Sequence, residues 1–159
     1  MARRYIPVNA MADTKETAMP MITLQYASPR SKPGLTETLA KAANDLSATI
    51  LHKDPQVTAV VVEEIDPAMW FVGNASLAQH GLAGFWLDIR IVDGTNTREE
   101  KAAFVAATFA RMRDLLGPLH HESYVHVNEV RGDAYGYGGL TQNERYIANK
   151  LKQAVKAAA

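Results

Sequence analysis

VVVEEIDPAMWFVGN, residues 60–74, and VHVNEVRGDAYGYGG, residues 125–139, decide the fold, because the second lies over the first at a constant offset of 65 positions. Val60 meets Val125, Val62 meets Val127, Glu64 meets Glu129, Trp70 meets Tyr135 and Gly73 meets Gly138. The same offset carries Ile22, Leu24 and Tyr26 onto Leu87, Ile89 and Ile91, and Leu39, Ile50 and Leu51 onto Phe104, Leu115 and Leu116. A period held across two copies marks one supersecondary unit used twice.

Each copy reads strand, helix, strand. Ile22, Leu24 and Tyr26 alternate with Met21, Thr23 and Gln25, the pattern of a strand with two distinct faces. Ser28-Pro29-Arg30-Ser31 ends it; Ser31 is the expected cap and Pro33 suits the first turn of a helix whose Leu35, Leu39, Ala42, Ala43, Leu46 and Ile50 recur to about His52. Thr58 to Ile65 predicts a largely buried strand, Asp66-Pro67 a turn, Trp70 to Gly73 a short extended piece and Asn74 to Ala83 a small-residue connection. In the second copy Phe85 to Val92 is a strand, and Thr97 with Glu100 forms a capping box. The helix stripe of Phe104, Ala107, Met112 and Leu115 stops at Gly117-Pro118, and Ser123 to Val130 is the fourth strand. Thr141 and Glu144 repeat the capping box before a last amphipathic helix, with Ile147, Leu151 and Val155 on one side and Lys150, Lys152 and Lys156 outside.

Two βαβ units with right-handed crossovers predict an α+β sandwich: a four-stranded mixed sheet, both helices on one face, plus a C-terminal helix. The other face is left bare, and Trp86, Asp88, Arg90, Met21, Thr23 and Gln25 are expected on it. So apolar a face predicts contact with other subunits in a closed, rotationally symmetric assembly. The organisation expected is an extension over 1–19, with Asp13 to Thr17 as a solvated arm, a domain over 20–142 with repeat halves of about 20–74 and 85–139, and a helix over 143–159.

With 159 residues and 47% hydrophobic content, one domain is expected. Seventeen basic residues balance seventeen acidic ones, so no net field draws in nucleic acid or an anionic membrane. The absence of cysteine excludes disulfides and thiolate chemistry and suits a reducing compartment. No apolar run reaches the roughly 20 residues of a membrane span, and no apolar signal core follows Arg3-Arg4, so a cytoplasmic protein is the expectation.

The chemistry turns on Met19-Pro20, placed directly before the first strand. An internal proline nitrogen is a tertiary amide without basicity, whereas a terminal one is a free secondary amine. Met19 and Met11 are possible starts besides Met1, and loss of an initiating Met19 leaves Pro20 first. The second copy has Phe85 at the matching place, so only one copy offers the amine.

Met-Pro before the first strand, Arg30 just after it, the fused βαβ repeat and the glycine-rich FVGN and YGYGG ends together resemble the tautomerase superfamily over about Pro20 to Gly139. That superfamily includes 4-oxalocrotonate tautomerase, macrophage migration inhibitory factor, malonate semialdehyde decarboxylase and cis-3-chloroacrylic acid dehalogenase. The resemblance implies a homotrimer with sites at subunit borders, no cofactor, and a keto-enol isomerase acting on a small 2-oxo acid or enol. Pro20 is the general base and Arg30 the carboxylate or enolate partner in that reading, with Tyr135, His126, Tyr124 and Arg90 as substrate-binding candidates.

Departures keep two alternatives open. Ala59 and Tyr124 stand where short tautomerases place a second arginine, and Val92 to Asn96 stands where the dehalogenase and decarboxylase carry arginines. A hydratase, dehalogenase or decarboxylase of the same fold requires Arg90 to reach the Pro20 pocket. A trimeric, non-catalytic binding protein follows if Pro20 stays internal. Competing structural roles are an Arg90–Asp88 interface ion pair, a satisfied buried His126, a surface Arg30 and space-filling Tyr135 and Trp70. His120-His121 lacks the spacing of a metal site, and the YGYGG glycines read as turns.

Overall fold

The computed structural model describes residues 19–158, so the solvated arm expected at Asp13 to Thr17 lies outside the described residues. In chain order the elements are β1 (Met21–Ala27), α1 (Leu35–Ile50), β2 (Ala59–Glu64), a 3-10 turn (Pro67–Met69), β3 (Phe71–Val72), β4 (Ala75–Ser76) and α2 (Leu77–His80). There follow β5 (Gly84–Val92), α3 (Arg98–Leu116), β6 (Tyr124–Val130), β7 (Gly136–Tyr137), β8 (Leu140–Thr141) and α4 (Gln142–Ala158). The principal sheet has the order β2-β1-β5-β6, with β1 parallel to β2, β5 parallel to β6, and β1 antiparallel to β5. Two small hairpins, β3-β4 and β7-β8, stand beside it.

The duplication is visible element by element. β3 and β4 become β7 and β8 under the 65-position offset, and Leu77, first residue of α2, becomes Gln142, first residue of α4. In the central pair Thr23 faces Asp88, its own repeat equivalent, while Met21 faces Arg90 and Gln25 faces Trp86. An approximate two-fold axis therefore passes through the sheet between Thr23 and Asp88. It places the two hairpins at opposite corners.

Alternation explains the core. Ile22, Leu24 and Tyr26 from β1 and Phe85, Leu87, Ile89 and Ile91 from β5 are buried against Leu35, Leu39 and Ala43 of α1 and Phe104, Met112 and Leu116 of α3. Removing these side chains from water, at about 25 cal/mol per Å² of apolar surface, is what holds sheet and helices together. The odd-numbered residues of β1 and even-numbered residues of β5 and β6 form the opposite face, as the alternation predicts, and no described helix covers it.

Several local expectations are corrected. α1 begins after Gly34 rather than at a Ser31 cap: Gly34 adopts a left-handed φ of 79° and no side chain caps the helix. β2 is an edge strand with an exposed Val61, not a largely buried one, because β-branching reports fit to a sheet and not the number of neighbours. The connection after Asn74 contains β4 and a capped helix: Ser76 accepts from Gln79 N–H, Gln79 reaches back to Ser76 N–H, and Leu77 is fully buried. The capping boxes at Thr97/Glu100 and Thr141/Glu144 both form. No helix among the described residues is long and apolar enough to cross a membrane.

Candidate active site

Pro20 enters the sheet from the Met19 side, buried, and its carbonyl accepts the Ala59 N–H at 3.2 Å, extending the β1-β2 ladder by one bond. Tyr135 is carried to the same corner by the segment between β6 and β7, where its own carbonyl accepts the Gln142 N–H at 2.8 Å. Its hydroxyl donates to the Met19 carbonyl at 3.2 Å. That carbonyl oxygen belongs to the amide of the Pro20 nitrogen, so covalent geometry puts the phenol no more than about 5.5 Å from that nitrogen. Gly136, next to Tyr135, permits the close return of the hairpin: a Cβ there would lie 2.3 Å from the Leu140 carbonyl oxygen.

Arg90 reaches this corner from β5, directly across the ladder from Met21. Burial pushes the Tyr135 phenol pKa up, partly offset by the Met21 backbone and by the positive charge of Arg90. The phenol therefore stays protonated at neutral pH, a hydrogen-bond donor with a cation beside it. A guanidinium, a phenol and the proline backbone converge within one protomer.

Behind Arg90 runs a charged row across two strands. Arg90 Nε lies 3.6 Å from Asp88 Oδ1, an ion pair longer than a hydrogen bond, and Asp88 Oδ2 lies 2.9 Å from His126 Nδ1. The Asp88 side chain is only 14% exposed, whereas those of His126 and Arg90 are about half exposed, so the carboxylate is the most buried member and holds both. His126 thus touches the site through Asp88 rather than directly, and it lies on the open face rather than buried. The anchoring role of Asp88 was hidden in the sequence, where it pairs only with Arg90; the β5-β6 register that sets it opposite His126 is the missing information.

The remaining candidates lie elsewhere in the protomer. Tyr124 faces Trp86, whose ring is 5.6 Å from it, and donates to the Glu122 carboxylate, which raises its phenol pKa. Four residues of strand, roughly 13 Å, separate that pair from Arg90. Arg30 follows the opposite end of β1, where its N–H donates to Ser28 Oγ at 3.1 Å and Ser28 Oγ donates to the Leu116 carbonyl at 3.0 Å. Seven strand residues, roughly 23 Å, separate it from Pro20 of its own chain. His120 packs edge-on against His80 with ring centres 4.7 Å apart, and its Nδ1 accepts the Glu122 N–H. Among the described residues no three His, Asp or Glu side chains cluster as metal ligands. At the dyad-related corner Phe85 takes the place of Pro20 and is fully buried.

No protein-family model and no curated protein matches the chain. Solved structures do. A fused 4-OT, described as a symmetric trimer, superposes with a TM-score of 0.66 at 18% identity over 77% of this chain and 96% of its own. A protein inactivated by 2-oxo-3-pentynoate gives 0.68 at 14% identity over 79% and 98%. A member of the cis-3-chloroacrylic acid dehalogenase family gives 0.58 at 17% identity over 85% and 99%. At such identities the likeness is one of architecture, and it agrees with the duplicated units, the mixed sheet and the corner hairpins: the chain has the tautomerase-superfamily fold in its fused form.

Proposed function

We infer that the form of this chain beginning at Pro20 is a tautomerase that moves a proton between carbon and oxygen of a small 2-oxo acid or enol. The observation that carries this reading is the Tyr135 hydroxyl on the Met19 carbonyl, with Arg90 beside it. With Met19 gone, the same corner holds a secondary amine, a phenol whose acceptor has left, and a guanidinium. Burial and the neighbouring cation both disfavour the ammonium form of the amine, so it is a competent base near neutral pH. Arg90 takes the substrate carboxylate or the developing enolate, and Tyr135 donates to the oxygen where charge accumulates. In the ketonising direction the proline amine takes the enol O–H proton and delivers it to carbon, so one O–H bond breaks as one C–H bond forms and the amine is regenerated.

With residues 1–19 attached, the Pro20 nitrogen is an amide and the reaction has no base. The chain then serves as a binding protein. Arg30 acts in this reading from a neighbouring subunit, since its own Pro20 lies at the far end of β1. The bare sheet face, with Val61, Trp86 and Tyr124 exposed, supports a homotrimer closed over it. The substrate is a small organic acid, with no cofactor and no nucleic-acid or membrane partner, in the cytoplasm. A second reading, hydratase, dehalogenase or decarboxylase, is favoured by one observation: Arg90 reaches the Pro20 corner.

The test is a comparison of two purified forms, one beginning at Met1 and one at Pro20, on phenylenolpyruvate and 2-hydroxydienoate, with Pro20→Ala as control, alongside the intact mass of the protein from its native host. Ketonisation by the Pro20 form alone supports the tautomerase. Chloride release from cis-3-chloroacrylate without ketonisation selects the second reading. Silence of both forms leaves the binding protein.

A further inference from the structure

α4 is amphipathic in the wrong sense for its own protomer. At 100° per residue, Ile147, Leu151 and Val155 form one stripe, and they are 56%, 63% and 70% exposed. The side turned to the body is mostly polar: Arg145, Asn149 and Lys156, flanked by Lys150 and Lys152, line with Met19, Asp54 and Val57 a cleft of about 670 Å³. The polar side of this helix therefore faces its own protomer across an open cleft and the apolar side faces outward, the reverse of a surface helix packed on its own core.

A matching surface lies at the dyad-related corner. Met69 and Phe71, around the first hairpin, are 72% and 60% exposed. Residues 59–71 carry Glu63, Glu64 and Asp66 and no basic residue, a net charge of −3, whereas α4 carries Arg145, Lys150, Lys152 and Lys156 against Glu144, a net charge of +3. Lys150 and Lys152 border the apolar stripe, and none of the four α4 cations has an ion-pair partner among the described residues. Asp66 caps the 3-10 turn that displays Met69, which fixes the acid beside the apolar surface.

We propose that α4 docks on a second copy of this chain, its Ile147–Leu151–Val155 stripe seated on the Met69–Phe71 corner of the next protomer, with Lys150 and Lys152 against that protomer's Glu63, Glu64 and Asp66. The two surfaces differ and sit at opposite corners of one protomer, so the contact is head-to-tail, the type that closes into a ring. Only the number of protomers in the ring rests on the homotrimer of the proposed function.

The chain has no cysteine, which gives a clean background for cross-linking. Leu151→Cys with Met69→Cys in one chain, oxidised with copper phenanthroline, is expected to produce covalent oligomers up to the full ring, whereas each single variant stops at dimers. Leu151→Glu is expected to raise the dissociation constant of the assembly at least tenfold in a dilution series followed by mass photometry. A trimer that forms no such cross-link, or resists Leu151→Glu, overturns the docking and leaves the trimer standing; a 17.4 kDa monomer overturns both. Sedimentation of the intact protein with phosphatidylserine vesicles, abolished by Leu151→Glu, would assign the stripe to a membrane surface instead.

Discussion

Tyr135→Phe is expected to act differently on the two forms of the chain, because the partner of the hydroxyl differs between them. In the form that retains Met19, the phenol donates a half-buried hydrogen bond to the Met19 carbonyl at 3.2 Å. Deleting it removes about 1 kcal/mol of stability, which for a domain of this size lowers Tm by roughly 2–4 °C. In the form beginning at Pro20 that carbonyl is absent, so the same substitution leaves Tm within about 1 °C of its parent. The loss moves to catalysis: a hydrogen bond to developing enolate charge is worth roughly 1.5–3 kcal/mol, or about a 10–100-fold drop in kcat/KM. Differential scanning calorimetry and steady-state ketonisation of four proteins, two lengths by two residues, measure both halves. Equal destabilisation in the two lengths, or an unchanged kcat/KM in the short form, would show that the hydroxyl does not address the proline corner as described.

Further outcomes follow from other contacts. Gly136→Ala drives a Cβ to 2.3 Å from the Leu140 carbonyl oxygen and is expected to open the second hairpin, costing about 1–3 kcal/mol and moving Tyr135, readable as a Tm fall together with a matching loss of activity in the Pro20 form. Asp88→Ala releases Arg90 and His126 together and is expected to raise KM for a carboxylate substrate about tenfold with a smaller change in kcat, the pattern of a positioning group. Thr141→Ala removes the hydroxyl that holds both the Glu144 N–H and its carboxylate, so α4 should fray by about 1 kcal/mol of helix stability, seen as lost ellipticity at 222 nm. Tyr26 is 1% exposed, and burial raises its phenol pKa. Its folded pKa lies above the unfolded value near 10, so that stabilisation is present below about pH 10 and lost as pH rises through the folded value; Tyr26→Phe should weaken the alkaline fall in urea midpoint.

What could be read from the residues alone follows their physics. The 65-position offset, the alternation in β1 and β5, and two capping boxes are local or periodic signals, and each appears in the structure where expected. Ser76 with Gln79 carries the same capping signal, but a four-residue helix has no apolar period to accompany it. The helix cap expected at Ser31 fails because Gly34, in a left-handed conformation, starts the helix later. Which end of the sheet a residue occupies is invisible in spacing. Arg30 follows the same strand that Pro20 precedes, and its adjacency in sequence conceals a full strand length between them. Arg90, 70 positions from Pro20, arrives beside it only because β5 runs antiparallel to β1 with Arg90 opposite Met21.

The axis between Thr23 and Asp88 bears on the history of the molecule. When a unit is copied within one chain, its two corners begin alike and are thereafter free to diverge under separate selection. One corner kept a proline whose nitrogen reacts only as a chain terminus, a position that a fused second copy can never occupy. The other corner has Phe85 in that place, fully buried as core, Trp70 where the first has Tyr135, and Met69 and Phe71 turned outward. Two corners built from one repeated unit thus carry different side chains on the same backbone plan, and only one of them has a residue whose chemistry depends on where the chain begins.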